Sequence, residues 1–132
     1  MSSVVIDTHI IIWDRLAPDR LSTKARNSLT EADDKHQLII CEISLWEIAM
    51  LISKRRIISD LSYPELMEEI LHSRNYKLQG ITTDIAFLAS EIPLETKDPA
   101  DKLIAATAIS LGLPLITADQ HMLTYDRLKT IW

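Results

Sequence analysis

Glycine is nearly missing from this chain: Gly80 and Gly112 are the only two in 132 residues. Neither G-x-G-x-x-G nor a Walker-type G-K-[ST] occurs, which excludes Gly-rich phosphate loops. The shortage also disfavours an all-β fold, which needs many tight turns. A single cysteine, Cys41, excludes an internal disulfide and fits a reducing compartment. It follows Leu38-Ile39-Ile40, so a small buried hydrophobe is expected there. The four histidines, His9, His36, His72 and His121, are scattered, with no Cys/His grouping of the zinc type. Excess positive charge is lacking too: the formal net charge is −5. Non-specific binding to nucleic acid by charge alone is therefore disfavoured, and a nucleic-acid enzyme with this balance needs bound cations, local basic patches or both. No apolar run is long enough to span a bilayer and the N-terminus has no basic, then apolar, leader, so a cytoplasmic protein with no membrane partner is expected.

What is present is a globular composition, 47% hydrophobic and 25% charged, and the length predicts one domain over 1–132. Strands are predicted over 3–6, 37–41, 76–81, 115–117 and 129–132, the third edge-like. Helices are predicted from residue 9 towards the break at Pro18, and over 22–32, 42–52, 63–73, 84–89, 99–111 and 120–125. The alternation predicts an α/β fold with a mainly parallel sheet. The stretch that organises the chain is Asp98-Pro99-Ala100-Asp101-Lys102-Leu103-Ile104-Ala105-Ala106-Thr107-Ala108. Pro99 fits the first helical position, Asp98 the N-cap and Asp101 the first turn. From Leu103 to Leu111 the helix is apolar on almost every face and is expected to pass through the core. Gly112 and Pro114 then stop it.

Four acids stand out. Asp7 ends the first strand and Asp119 follows the strand 115–117. Ligands in parallel sheets bind beyond the carboxyl ends of strands, so both face one crevice if the two strands are neighbours. Asp101 joins them if its helix starts on that side. Glu47 lies beside the apolar stripe of its helix, with Ile43, Met50 and Leu51 as helical neighbours, and a buried carboxylate there needs a cation, a donor or a raised pKa. Most of these acids also have a plainer explanation: helix capping for Asp7 and Asp101, as for the neighbouring Asp98, and an ion pair with Lys54 or Arg55 for Glu47. Lys54-Arg55-Arg56 is either a solvated helix end or a phosphate contact. Gathered at one crevice, carboxylates ~4 Å apart would repel by about 4 kcal/mol per pair. Relief requires protons or a hard cation held by oxygen alone, Mg²⁺ or Mn²⁺. Such an ion activates water and clamps a phosphate, which points to phosphodiester hydrolysis.

The ordered set Val5-Ile6-Asp7-Thr8-His9, Ser44-Leu45-Trp46-Glu47-Ile48, the Asp98–Ala108 stretch and Leu115-Ile116-Thr117-Ala118-Asp119 resembles the PIN-domain family, in particular the VapC-like toxins of bacterial toxin–antitoxin pairs. The resemblance covers essentially the whole chain. It implies a three-layer α/β/α sandwich and a metal-dependent endoribonuclease, usually a homodimer, that acts on RNA and is inhibited by a cognate antitoxin. Carried over by motif, Asp7, Glu47, Asp101 and Asp119 would be the catalytic residues and bind Mg²⁺ or Mn²⁺. Asp98 would be an auxiliary acid or cap, and Thr117 would orient the site. Lys97 and Lys102 stand where His and Arg are frequent in the family. Thr8-His9 replaces the commoner Asp-x-Ser/Asn form, and His9 is expected to face the core.

Other readings are a non-catalytic acidic binding domain and a phospho-receiver, which needs an acidic pair near the first strand. A dehalogenase-type phosphatase needs Asp-x-Asp after that strand. Asp7 has no acidic neighbour, since Thr8 and His9 follow it.

Overall fold

Five strands, β1 (Val4–Ile6), β2 (Leu38–Cys41), β3 (Tyr76–Gln79), β4 (Leu115–Ile116) and β5 (Thr130–Ile131), form one sheet in the order β3-β2-β1-β4-β5. The structure is a computed structural model and describes residues 3–96 and 98–132; Lys97 lies outside the described residues. All four strand pairings are parallel, so the mainly parallel sheet expected from the sequence is wholly so among the described strands. Among the described residues seven α-helices connect them: α1 (Thr8–Leu16), α2 (Thr23–Asp34), α3 (Ile43–Ser53), α4 (Tyr63–Leu71), α5 (Thr83–Glu91), α6 (Pro99–Leu111) and α7 (Gln120–Leu123). None is long and apolar enough to cross a membrane.

The three layers follow from the two-residue period of the strands. Val4, Ile6, Leu38, Ile40 and Ile116 point to one side, where they pack with Ile10, Leu29, Leu66 and Ile70 from α1, α2 and α4. Val5, Cys41 and Leu115 point to the other and meet Ile85, Ala89, Ile104, Ala105 and Ala108 from α5 and α6. A strand buried on both faces must be apolar at successive positions, which is why Val4-Val5-Ile6 carries no polar residue. Cys41 is a free, buried thiol in the second cluster, as expected.

The register does the positioning. Val5 lies opposite both Ile39 and Leu115, and Ile6 opposite Ile116. The chain winds outward from β1 to β2 and β3, then resumes on the other side with β4 and β5. That reversal leaves a crevice above the carboxyl ends of β1 and β4, where a doubly wound sheet binds ligands.

Helix α6 behaves much as its sequence predicts. Asp98 caps it by accepting from the Ala100 N–H at 3.0 Å, and Ile104 to Ala108 are all buried. Gly112 takes φ 68°, ψ 31°. Its N–H donates to the Ile109 carbonyl, and that of Leu113 to the Ala108 carbonyl, which closes the helix as a Schellman motif. Burial ends one turn early, because Ser110 and Leu111 emerge into solvent beside that cap. The helix predicted over 42–52 also starts one residue late. Glu42 precedes α3, and its Oε1 accepts the Ile81 N–H at 2.7 Å, tying α3 to the end of β3.

Helix α1 is held from outside the core. The Arg74 guanidinium grips Asp14 with two hydrogen bonds, at 2.6 and 3.0 Å, and donates to Asp33 at 3.4 Å. The Asp33 carboxylate also accepts the Asn75 N–H at 2.8 Å. The Asp14 side chain is only 8% exposed, so removing its partner would strand a charge out of water. Arg74→Ala is expected to lower stability by about 3 kcal/mol, read as a fall in the denaturant midpoint with an unchanged slope; a midpoint within error of the parent's would show the clamp to be without consequence.

Candidate active site

Asp7 follows β1 directly and is 4% exposed. It caps α1, with Oδ1 accepting the Thr8 N–H at 2.8 Å. Its other oxygen, Oδ2, accepts the Thr117 hydroxyl at 2.8 Å. Thr117 stands beside it because Ile6 and Ile116 are in register. The same Thr117 oxygen accepts the Asp119 N–H at 3.1 Å, so one hydroxyl joins the two strand ends. Asp119 in turn caps α7 through Oδ1, at 2.8 Å from the His121 nitrogen.

The other acids arrive on helices. Because α6 runs back against the parallel strands, its first turn lies above their carboxyl ends, and Asp98 and Asp101 reach the crevice. The Thr96 hydroxyl donates to Asp101 Oδ2 at 2.8 Å and its oxygen accepts the Asp98 N–H at 3.1 Å. Glu47, from α3, is 2% exposed. One oxygen from each of Glu47, Asp98 and Asp101 lies within 4.8 Å of the others. Asp7, Asp98, Asp101 and Asp119 line a cleft of about 240 Å³ together with His9, Trp13 and Ala118. The four acids selected from sequence therefore converge, and Asp98, which the sequence assigned as an auxiliary acid or cap, belongs to both groups.

Capping and convergence turn out not to be alternatives: Asp7, Asp98 and Asp119 cap helices with one oxygen while facing the cleft. The ion pair considered for Glu47 is not formed; Lys54 and Arg55 are exposed, and no salt bridge joins either to Glu47 among the described residues. Lys102 is half-buried in the first turns of α6. His9 corrects an expectation. It is exposed and lines the cleft, because Thr8, Ile11 and Ile12 occupy the buried face of α1 and leave residues 9 and 13 on the face beside the crevice. Thr96 was missed. Its signal was a hydroxyl two residues ahead of Asp98, the spacing of a local side-chain turn. Thr8 and Ser44, buried and 2.9 Å apart through their hydroxyls, were missed as well; they pin α1 to α3 beside Glu47.

Comparisons with known proteins bear on the family and the fold. Residues 4–128 match the PIN domain family. The chain belongs to that family. It is 34% identical to Ribonuclease VapC22 of Mycobacterium tuberculosis over 135 residues, spanning 100% of each chain. Among solved structures the fold resembles VapBC2 from Rickettsia felis bound to a DNA fragment from their promoter, with a TM-score of 0.72 at 19% identity over 96% of each chain. It also resembles a toxin-antitoxin complex from Klebsiella pneumoniae, with a TM-score of 0.64 at 21% identity over 96% of this chain and 95% of that one.

In this PIN domain three of the carboxylates, Asp7, Glu47 and Asp101, are shifted toward their protonated forms. Burial pushes the Glu47 carboxyl up to about 9, helped by Asp98 and Asp7 and opposed by Thr8. Asp101 is pushed up to about 7, by burial first and then by Asp7, Asp98 and Asp119, against the Thr96 hydrogen bond. Asp7 is raised by burial, partly offset by the Thr117 hydroxyl, His9 and the Thr8 N–H. The donor set fits a hard divalent cation. It is all oxygen, and Glu47 Oε1 is buried with no hydrogen-bond partner, a group that needs a proton or a positive charge beside it.

The consequence for stability has a definite sign. Acids whose folded pKa exceeds the unfolded value make the folded chain bind more protons, so stability is greatest at low pH and declines as pH rises. In chelator, the melting temperature should fall between about pH 5 and 9, through the raised values of Asp101 and Glu47, and Glu47→Gln should remove the upper part of that fall. Millimolar Mg²⁺ should raise the melting temperature more at pH 8.5 than at pH 5.5, since only the folded site gathers the ligands. A melting temperature that rises across this window in chelator, in both proteins, would contradict the assignment.

Proposed function

We propose that this PIN domain is a Mg²⁺- or Mn²⁺-dependent endoribonuclease, acting as the toxin of a toxin–antitoxin pair, with residues 1–132 working as one domain. The observation that carries this reading is the buried Glu47 carboxyl, one oxygen of it without a hydrogen bond, grouped with Asp98 and Asp101, which line a cleft together with Asp7 and Asp119. The likeness to a chain named a ribonuclease supports the reaction class. The fold shared with a toxin-antitoxin complex supports an antitoxin as partner, and a homodimer is part of the same reading.

In this reading Asp7, Glu47, Asp101 and Asp119 hold the ion, and Asp98 completes the set from its N-cap position. A divalent cation supplies charge to offset that developing on a phosphodiester and makes a water molecule acidic enough to attack it. The chain's own groups do the holding. Thr117 and the Thr8 N–H fix the two oxygens of Asp7, leaving that carboxylate no freedom to rotate. Thr96 fixes Asp101 through Oδ2 and leaves Oδ1 without a hydrogen bond among the described residues. Asp119, which lines the cleft, uses Oδ1 for its cap and leaves Oδ2 in the same condition. Asp101 and Asp119 thus each spend one oxygen on orientation and keep the other free of hydrogen bonds among the described residues, which preorganises the site.

Asp7→Asn and Asp119→Asn should each reduce cleavage of single-stranded RNA in Mg²⁺ by about a hundredfold or more while retaining the fold by circular dichroism. Thr117→Val, which removes only the orienting hydroxyl, should weaken Mg²⁺ affinity by about tenfold. Metal-dependent cleavage that survives in both Asp variants would exclude the reading and leave a non-catalytic acidic domain.

A further inference from the structure

Beside the acidic cleft lies a second, wider groove of about 490 Å³, and the two share His9 and Trp13 as a common wall. Its lining is mostly apolar, Ile12, Leu16, Leu51 and Ile57 among it, and Arg20 and Arg56 add two positive charges. The wall is an aromatic row. The His9 and Trp13 rings lie 6.0 Å apart at 57°, and Trp13 and Trp132 lie 6.3 Å apart at 55°. The Arg20 guanidinium sits 4.4 Å from the centre of a Trp13 ring. Both arginines are exposed, and neither forms a salt bridge among the described residues.

We propose that this groove seats the nucleotides flanking the scissile phosphate of single-stranded RNA. One base stacks against the His9 ring and the outer face of the Arg20 guanidinium, and the next phosphate lies on Arg56. The proposal rests on the ribonuclease reading and names the substrate's second point of contact. Three observations select a nucleic-acid strand as the occupant. The groove adjoins the acidic cleft across a shared wall, so a strand with one phosphate in the cleft can continue over His9 and Trp13. Two unpaired guanidinium groups line it on a chain of net charge −5, which matches a polyanion. A guanidinium stacked on an indole keeps its other face for a base and its edge N–H groups for phosphate oxygens. The acids repel phosphate by themselves, so affinity for the strand must come from groups outside the cleft. Arg56 belongs to the Lys54-Arg55-Arg56 run, whose use the sequence left open between a solvated helix end and a phosphate contact.

The test measures binding of a short labelled single-stranded RNA to the full chain in chelator, and its cleavage in Mg²⁺. His9→Ala and Arg20→Ala should each weaken binding by at least about fivefold, the loss of one base–side-chain stack, and in cleavage raise KM more than they lower kcat. An RNA with an abasic nucleotide beside the cut should erase the His9→Ala penalty, which a purely structural role for His9 would not do. Arg56→Ala should reduce the slope of log affinity against log salt by about one phosphate's worth, roughly 0.7 for a single strand. Unchanged affinity and KM in His9→Ala and Arg20→Ala, while Asp7→Asn still abolishes cleavage, would overturn the groove assignment, leave the ribonuclease reading standing and give the groove to an apolar protein segment. A penalty of equal size on abasic RNA would overturn the stacking. A parent chain that neither binds nor cuts RNA would overturn both.

Discussion

Negative charge brought together out of water is the constraint on which this molecule turns. Five carboxylates from four separated stretches of chain meet above the ends of β1 and β4, two of them with almost no exposure. No arrangement of hydrogen bonds alone would make that favourable. The polar groups that surround them, Thr8, Thr96 and Thr117, are too few to satisfy every oxygen, and Glu47 keeps one bare. Burial first, and then the neighbouring carboxylates, raise Glu47 and Asp101 toward their protonated forms, which relieves part of the repulsion. A site that costs stability and yet is held from four directions is more readily understood as a binding site than as packing.

The rest of the fold serves that convergence. Apolar runs with a period of two make a sheet buried on both faces, and burial on both faces requires helices in two layers. The winding order then places the only reversal of direction between β1 and β4. Helix N-termini collect there, so the carboxylates meet partial positive charge from α1, α6 and α7 as well as one another. Capping and the proposed ion binding would use the same residues, because both need an acid at a helix start on the same side of the sheet.

Element types were legible in the sequence to within a residue or two, because runs such as Val4-Val5-Ile6 and the punctuation of Pro99 and Gly112 act locally. The convergence of Asp7 and Asp119 was legible only conditionally, since it depends on β1 pairing with β4, a contact across 110 residues. The family resemblance supplied what local chemistry left open. What escaped was side-chain direction. His9 was assigned to the core because its neighbours are apolar, yet its position on α1 turns it to the cleft. For Asp98 the helix-start signal gives a cap and the family resemblance an auxiliary acid or cap, and its closeness to Glu47 has no trace in the sequence. The groove beyond His9 was not legible, since it is assembled from α1, the turn at Arg20 and the segment after α3.

Crystals grown with Mn²⁺ and measured for anomalous scattering would test the central claim most directly. The account predicts an anomalous peak within bonding distance of oxygens from Asp7, Glu47, Asp98, Asp101 and Asp119, at least three of them. Manganese found only elsewhere, with these side chains bonded to one another through shared protons and the cleft holding no ion, would contradict it.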